Sequence, residues 1–104
     1  MNGVERIAAE RKRQIETENW TPQHDFDEHG DMVLAIAAAS YVLDLAGVFG
    51  DHHESWKQIY KECGEKVWIF DEEGFKPTHD DPIRQLTKAG ALIAAEIDRL
   101  IANK

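Results

Sequence analysis

The feature that most constrains this 104-residue chain is a run from Met32 to Phe49 in which only Ser40 and Asp44 are not apolar. Such a run approaches the length of a transmembrane helix. Six of its residues are Ala or Gly, Asp44 falls inside it, and no Lys or Arg cluster flanks it. Those features weigh against a bilayer span. A helix apolar all round that does not cross a membrane must be covered by its neighbours or by another copy of the chain. The expected architecture is all-α: three to four helices packed around this apolar central helix. The length predicts a single domain over residues 1–104.

Charge narrows the partners. The chain carries 20 acidic against 12 basic side chains, a formal charge of −8. Nucleic-acid binding needs clustered Lys and Arg, and anionic membranes repel such a surface, so neither partner is expected. The single cysteine, Cys63, excludes an internal disulfide framework and a multi-cysteine zinc site. Met1 to Glu18 is charged with both signs and lacks an apolar stretch, so no signal peptide is expected and a cytoplasmic location is.

Helical periodicity runs through the chain. A first helix is expected from about Gly3 to Thr17, with Val4, Ile7, Ala8, Arg11 and Ile15 on its apolar face. Thr21-Pro22 then breaks the helix. A second is expected from about Asp27 to Ala46, capped by Asp25 or Asp27 and ended by Gly47 and Gly50. A third covers about Asp51 to Glu62. Residues 66 to 81 read as an aromatic-rich loop carrying Trp68, Phe70 and Phe75. The last helix starts with Asp81 as cap and Pro82 in the first position, and runs to about Ala102. Its expected buried face is Leu86, Ala89, Gly90, Ile93, Ile97, Leu100 and Ile101. Gly90 between two alanines suggests close approach by another helix. With the alanine-rich second helix, it also suggests a homodimer or higher homo-oligomer. Arg11, inside an apolar stripe, is expected to find a carboxylate, and Glu96 is the candidate partner.

Two constellations carry chemistry. Aromatic faces can stack a base and guanidinium forks can hold phosphate. On that ground Arg13, Gln14, Trp20, His24, Trp68, Lys76, Arg84 and Lys88 are the expected ligand-binding residues, with Arg11 and Glu96 as structural support. No catalytic residue and no cofactor are assigned. The alternative is a metal site in the dense polar cluster, using Asp25, Asp27, Glu28, His29 and Asp31, where carboxylates and imidazole can hold a divalent ion. His24-Asp25 resembles a ligand pair of metal-dependent phosphohydrolases, and Asp27-Glu28-x-x-Asp31 resembles the acidic motif of all-helical nucleotide pyrophosphohydrolases. The further ligands and the second acidic motif have no match. His52-His53-Glu54 reads as exposed surface and Cys63 as a structural thiol.

Two longer blocks resemble a family of small helical proteins encoded by phages and prophages. The first is Glu10-Arg11-Lys12-Arg13-Gln14-Ile15 with Glu18-Asn19-Trp20-Thr21-Pro22-Gln23-His24-Asp25 and His29-Gly30. The second is Phe75-Lys76-Pro77, Arg84-x-Leu86, Lys88-Ala89-Gly90-Ala91-Leu92-Ile93 and Ala95-Glu96-Ile97-Asp98-Arg99-Leu100. The chain departs from the pattern at Asn19, Phe26 and Phe75, where the family usually has Gly, Asp and Trp. The resemblance implies a phage origin, and hence the cytoplasm of an infected bacterium, without implying an activity. Arg11, Ile15 and Trp20, with the acids that follow, are also similar to the start of the ryanodine-receptor repeat domain, which is associated with adenine nucleotides. The expected function is capture of a nucleotide-like small molecule, such as an ADP-ribose-type host immune signal, without turnover. The alternatives are a divalent-metal-dependent nucleotide hydrolase and an acidic module that inhibits a host protein.

Overall fold

The computed structural model describes residues 1–19, 32–47 and 80–102. These hold three α-helices and, among the described residues, no strand: α1 (Gly3–Glu18), α2 (Val33–Ala46) and α3 (Pro82–Ala102). The fold is all-α, as expected. The turn expected at Thr21-Pro22, the helix expected at about Asp51 to Glu62 and the aromatic loop expected up to His79 lie outside the described residues. None of the described helices is long and apolar enough to cross a membrane.

Each helix end has a local cause. Asn2 and Glu5 form a reciprocal capping box at the start of α1: the Asn2 Oδ1 accepts from the Glu5 N–H at 2.9 Å, and the Asn2 N–H donates to Glu5 Oε1 at 3.0 Å. Two otherwise orphaned donors are thereby satisfied. Asn19 ends the helix in the left-handed region (φ 59°), a conformation asparagine tolerates well. In α3, Asp81 Oδ1 accepts from the Arg84 N–H at 3.1 Å, and Pro82 stands at the first helical position. Both follow the expectation, because proline has no N–H to lose there. Gly47 closes α2 with φ 68°. The start of α2 differs from expectation: the helix begins at Val33, not near Asp27, because Met32 before it is left-handed at φ 65°.

Among the described helices, the one that packs against both others is α3, not the apolar α2. A middle helix must bury two faces, and α3 does so with Gln85, Thr87, Ala89, Ala91, Leu92, Ala95, Glu96 and Arg99. The α2–α3 core joins Leu34, Ala37, Ala38 and Tyr41 to Ala89, Leu92 and Ala95. Alanines on both sides let the helices approach closely. At their edge, fully buried Gln85 donates from Nε2 to the Tyr41 carbonyl (2.8 Å) and to Asp44 Oδ2 (2.9 Å), with Asp44 also fully buried. A buried carboxylate must be solvated by the protein, so this contact fixes the rotation of α3.

That rotation overturns the expected buried face. Leu86, Ile93, Ile97, Leu100 and Ile101 are 45–60% exposed, and only Ala89 of the expected set is buried, with Gly90 half-buried. In α1 the buried residues are Glu10, Arg11 and Gln14, whereas Val4 is 78% exposed and Ile7 and Ile15 are half-buried. The α1 face toward α3 is therefore mostly polar.

Gly90 does receive a close neighbour, from within the chain. A Cβ there would stand 2.5 Å from Ile7 Cδ1 and 2.8 Å from Cγ1. Gly90→Ala gains helix propensity of about 1 kcal/mol but collides with Ile7. In an Ile7→Ala background the same change should stabilise by about 1 kcal/mol, and in the parent background by much less. Urea unfolding of the four proteins reads this coupling. Equal effects in both backgrounds would contradict the contact.

Candidate anion-binding site

Glu10 is 4% exposed and lies at the α1–α3 junction. Arg13, three residues on, faces it as an i,i+3 neighbour. Its Nε lies 3.0 Å from Oε1 and 3.2 Å from Oε2, and its Nη2 lies 2.9 Å from Oε2. Arg84 comes from the first turn of α3, 74 positions away, and its Nη1 donates to Glu10 Oε1 at 2.7 Å. The outer side of Arg13 also reaches Glu18 at 3.3 Å. Burial pushes the Glu10 carboxyl up, but hydrogen bonds and charge from Arg13 and Arg84 outweigh this and hold it below its ordinary value of 4.5. The hydrogen bond to Glu10 likewise raises the Arg13 guanidinium, against the opposing effect of burial.

The pair of arginines forms part of a cleft of about 340 Å³ lined by Arg6, Glu10, Arg13, Asp81, Ile83 and Arg84, together with Met1, Ala9 and Thr87. Its walls hold three guanidiniums against the two carboxylates of Glu10 and Asp81, an excess of positive charge on a chain whose net charge is −8. Arg6 makes no side-chain ion pair or hydrogen bond with the described residues. Arg84 places only Nη1 on Glu10, so its Nε and Nη2 remain as donors; a guanidinium has five N–H groups in a planar fork. The backbone N–H of Arg84 is already taken by Asp81, so the guanidiniums, not the helix end, are what this cleft offers an anion. Bidentate recognition of phosphate or carboxylate is the chemistry such groups perform.

Of the expected ligand residues, the structure brings Arg13 and Arg84 together. Gln14 is 3% exposed, does not line the cleft, and holds its Oε1 buried without a hydrogen-bond partner among the described residues. Lys88 lies instead over the Tyr41 ring, with Nζ 5.8 Å from the centroid. Trp20, His24, Trp68 and Lys76 lie outside the described residues, as do Asp25, Asp27, Glu28, His29 and Asp31. Among the described residues no group of three or more His, Cys, Asp or Glu is placed to hold a metal.

The expected Arg11–Glu96 pair does not form. Arg11 Nε donates to Asp98 Oδ2 at 3.2 Å, while Glu96 pairs with Arg99 through Oε1. Arg99 Nη2 also lies 3.9 Å from the Met32 sulfur. Residues two apart on a helix point to opposite sides: Asp98 faces α1, and Glu96 turns away with Arg99. Sequence reasoning missed Glu10 and Arg6. Their signal was the spacing Arg6, Glu10, Arg13, which sets all three on one side of α1.

Comparison with protein-family models, with curated proteins and with solved structures finds no match to this chain.

Proposed function

We propose that the chain binds a phosphorylated, nucleotide-like small molecule and does not turn it over. The observation that carries this reading is the convergence of Arg13 and Arg84 on buried Glu10, with Arg6 in the same cleft. A buried carboxylate holds the two forks in place before a ligand arrives, and such preorganisation lowers the cost of binding. The cleft takes the phosphate, and a base or ribose extends beyond it. The resemblance to phage and prophage proteins suggests the setting, in which a host signal is removed by capture inside an infected bacterium. Self-association belongs to the same reading.

The test is a thermal-shift panel of nucleotides and ADP-ribose-type compounds, each with and without magnesium or manganese. One compound at 100 times its dissociation constant stabilises by about 2.7 kcal/mol, a rise of roughly 10 °C or more for a domain this size. The expected result is a shift that needs no metal, with the compound recovered intact. A shift only with metal, a consumed ligand, or no shift from any compound would overturn the proposal. Arg6→Ala is the matched variant. It should remove most of the shift and leave the ligand-free melting temperature within about 1 °C, since exposed substitutions away from packed contacts cost little. Arg84→Ala is less clean, because it also strips a partner from Glu10.

A further inference from the structure

The face of α3 that the fold leaves outside has a regular pattern. Ile83, Leu86, Ile93, Ile97 and Leu100 follow one another at steps of three, seven, four and three residues, the spacing of a heptad seam with one position left out. The five side chains are 58%, 50%, 48%, 52% and 45% exposed in that order. The position left out is Gly90, which Ile7 of α1 covers. Next to it a groove between α1 and α3 continues the surface; Val4, Ile7, Ala8, Ile15 and Ala94 line it together with the charged Arg11, Lys12 and Glu16. In ordinary soluble chains an aliphatic stripe of this length is covered.

We infer that a second copy of this chain covers it, with α3 of one protomer packed along α3 of the other in a two-fold dimer. The inference deepens the self-association proposed above by assigning its surface. Two observations select a second copy as the occupant. First, a helix with this spacing fits best against another helix of the same spacing, and α3 itself supplies one, so the surface is self-complementary as a two-fold interface requires. Second, the area suffices. The five seam side chains with Ile101 (60% exposed) and Val4 (78% exposed) present on the order of 600–700 Å² of apolar surface, close to the ~800 Å² per partner of a stable interface. The seam carries no charged residue; Asp98 and Arg84 stand to its side and are engaged with Arg11 and Glu10. Apolar content of this kind marks homodimer interfaces rather than transient ones. The arginine cleft opens at the α1–α3 junction and shares Ile83 with the seam, so the interface ends at the rim of each protomer's anion site.

The experiment is the solution mass of the full chain by light scattering and sedimentation, with tens of micromolar protein. The wild type should have twice the 11.8 kDa chain mass. Ile93→Lys with Ile97→Lys should be a monomer, its dissociation constant raised by roughly 100-fold or more, since two ammonium groups would have to be buried in an apolar seam. Both positions are half-exposed, so circular dichroism should show unchanged helix content. Val42→Lys, at a 41% exposed position on α2, should remain a dimer. A monomeric wild type would overturn self-association and this surface together. A wild-type dimer that survives the double substitution would overturn the surface alone, and so would a dimer lost equally on Val42→Lys. Ligand-induced thermal shifts are read separately and bear on the cleft.

Discussion

Gln85→Ala should lower the melting temperature by more than about 10 °C, the largest single effect among the described side chains. Gln85 is fully buried and bridges the Tyr41 carbonyl and the equally buried Asp44 carboxylate through one Nε2. Its removal leaves those acceptors short of a donor, at about 1–3 kcal/mol, and opens a cavity between α2 and α3, at about 1–2 kcal/mol more. A domain of this kind has only about 5–15 kcal/mol in total. Gln85→Leu keeps the volume and loses only the hydrogen bonds, so the two variants separate packing from polar satisfaction. Gln85→Glu should be worse at neutral pH, since it sets a second carboxylate against Asp44. Thermal unfolding by circular dichroism checks all three. A fall of under about 3 °C for Gln85→Ala would show that the α2–α3 contact does not depend on this bridge.

Glu10→Gln should move stability and binding in opposite directions. Its charge-assisted bonds to Arg13 and Arg84 are weakened, at a cost of about 2 kcal/mol in stability. The same change removes a negative charge from the cleft, while the amide oxygen still accepts from the forks and keeps them in place, so affinity for a phosphate-bearing ligand should rise roughly 10-fold. A site that merely ties two helices together would show the loss without the gain. Titration calorimetry with the compound found in the thermal-shift panel reads the second half. The acid dependence follows from the lowered Glu10 carboxyl. A carboxyl lowered in the folded state contributes stability that is fully present above its unfolded value and disappears as the pH falls through its folded value. The difference between wild type and Glu10→Gln should be widest near neutrality, begin to narrow as the pH falls below the ordinary carboxyl value of 4.5, and close only once the carboxyl is protonated in the folded state. A gap independent of pH would show that the ionised carboxylate is not the stabilising species.

Local chemistry was legible where a residue acts on its near neighbours. Asp81 with Pro82 announced the start of α3, and Gly47 announced the end of α2, because capping depends on residues within one turn. The small residue at Gly90 announced a close contact for a similar reason, since only the absence of a Cβ permits one. Legibility failed wherever helix rotation mattered. The aliphatic periodicity of α3 is strong, and the usual rule turns such a face inward. Here the Ala-rich face of α3, with Gln85, Glu96 and Arg99, turns toward its neighbours, and the aliphatic stripe lies outside. The candidate site shows the same division. Arg13 and Arg84 were recognisable as phosphate-binding types, but Glu10 was not, since a glutamate in a charged helix ordinarily stands in water.

The sequence by itself determined that the described segments of this chain are helical and where α1 and α3 begin and end, since propensity, caps and breakers act over a few residues and need no partner. It also determined which side chains share a face, because the helical repeat is geometry. The tertiary structure alone decided which face is buried. That choice rests on two contacts between distant residues, Gln85 with Asp44 across 41 positions and Arg84 with Glu10 across 74. A buried charge must be met by groups the fold supplies, and that requirement outweighs the gain from burying one more aliphatic stripe.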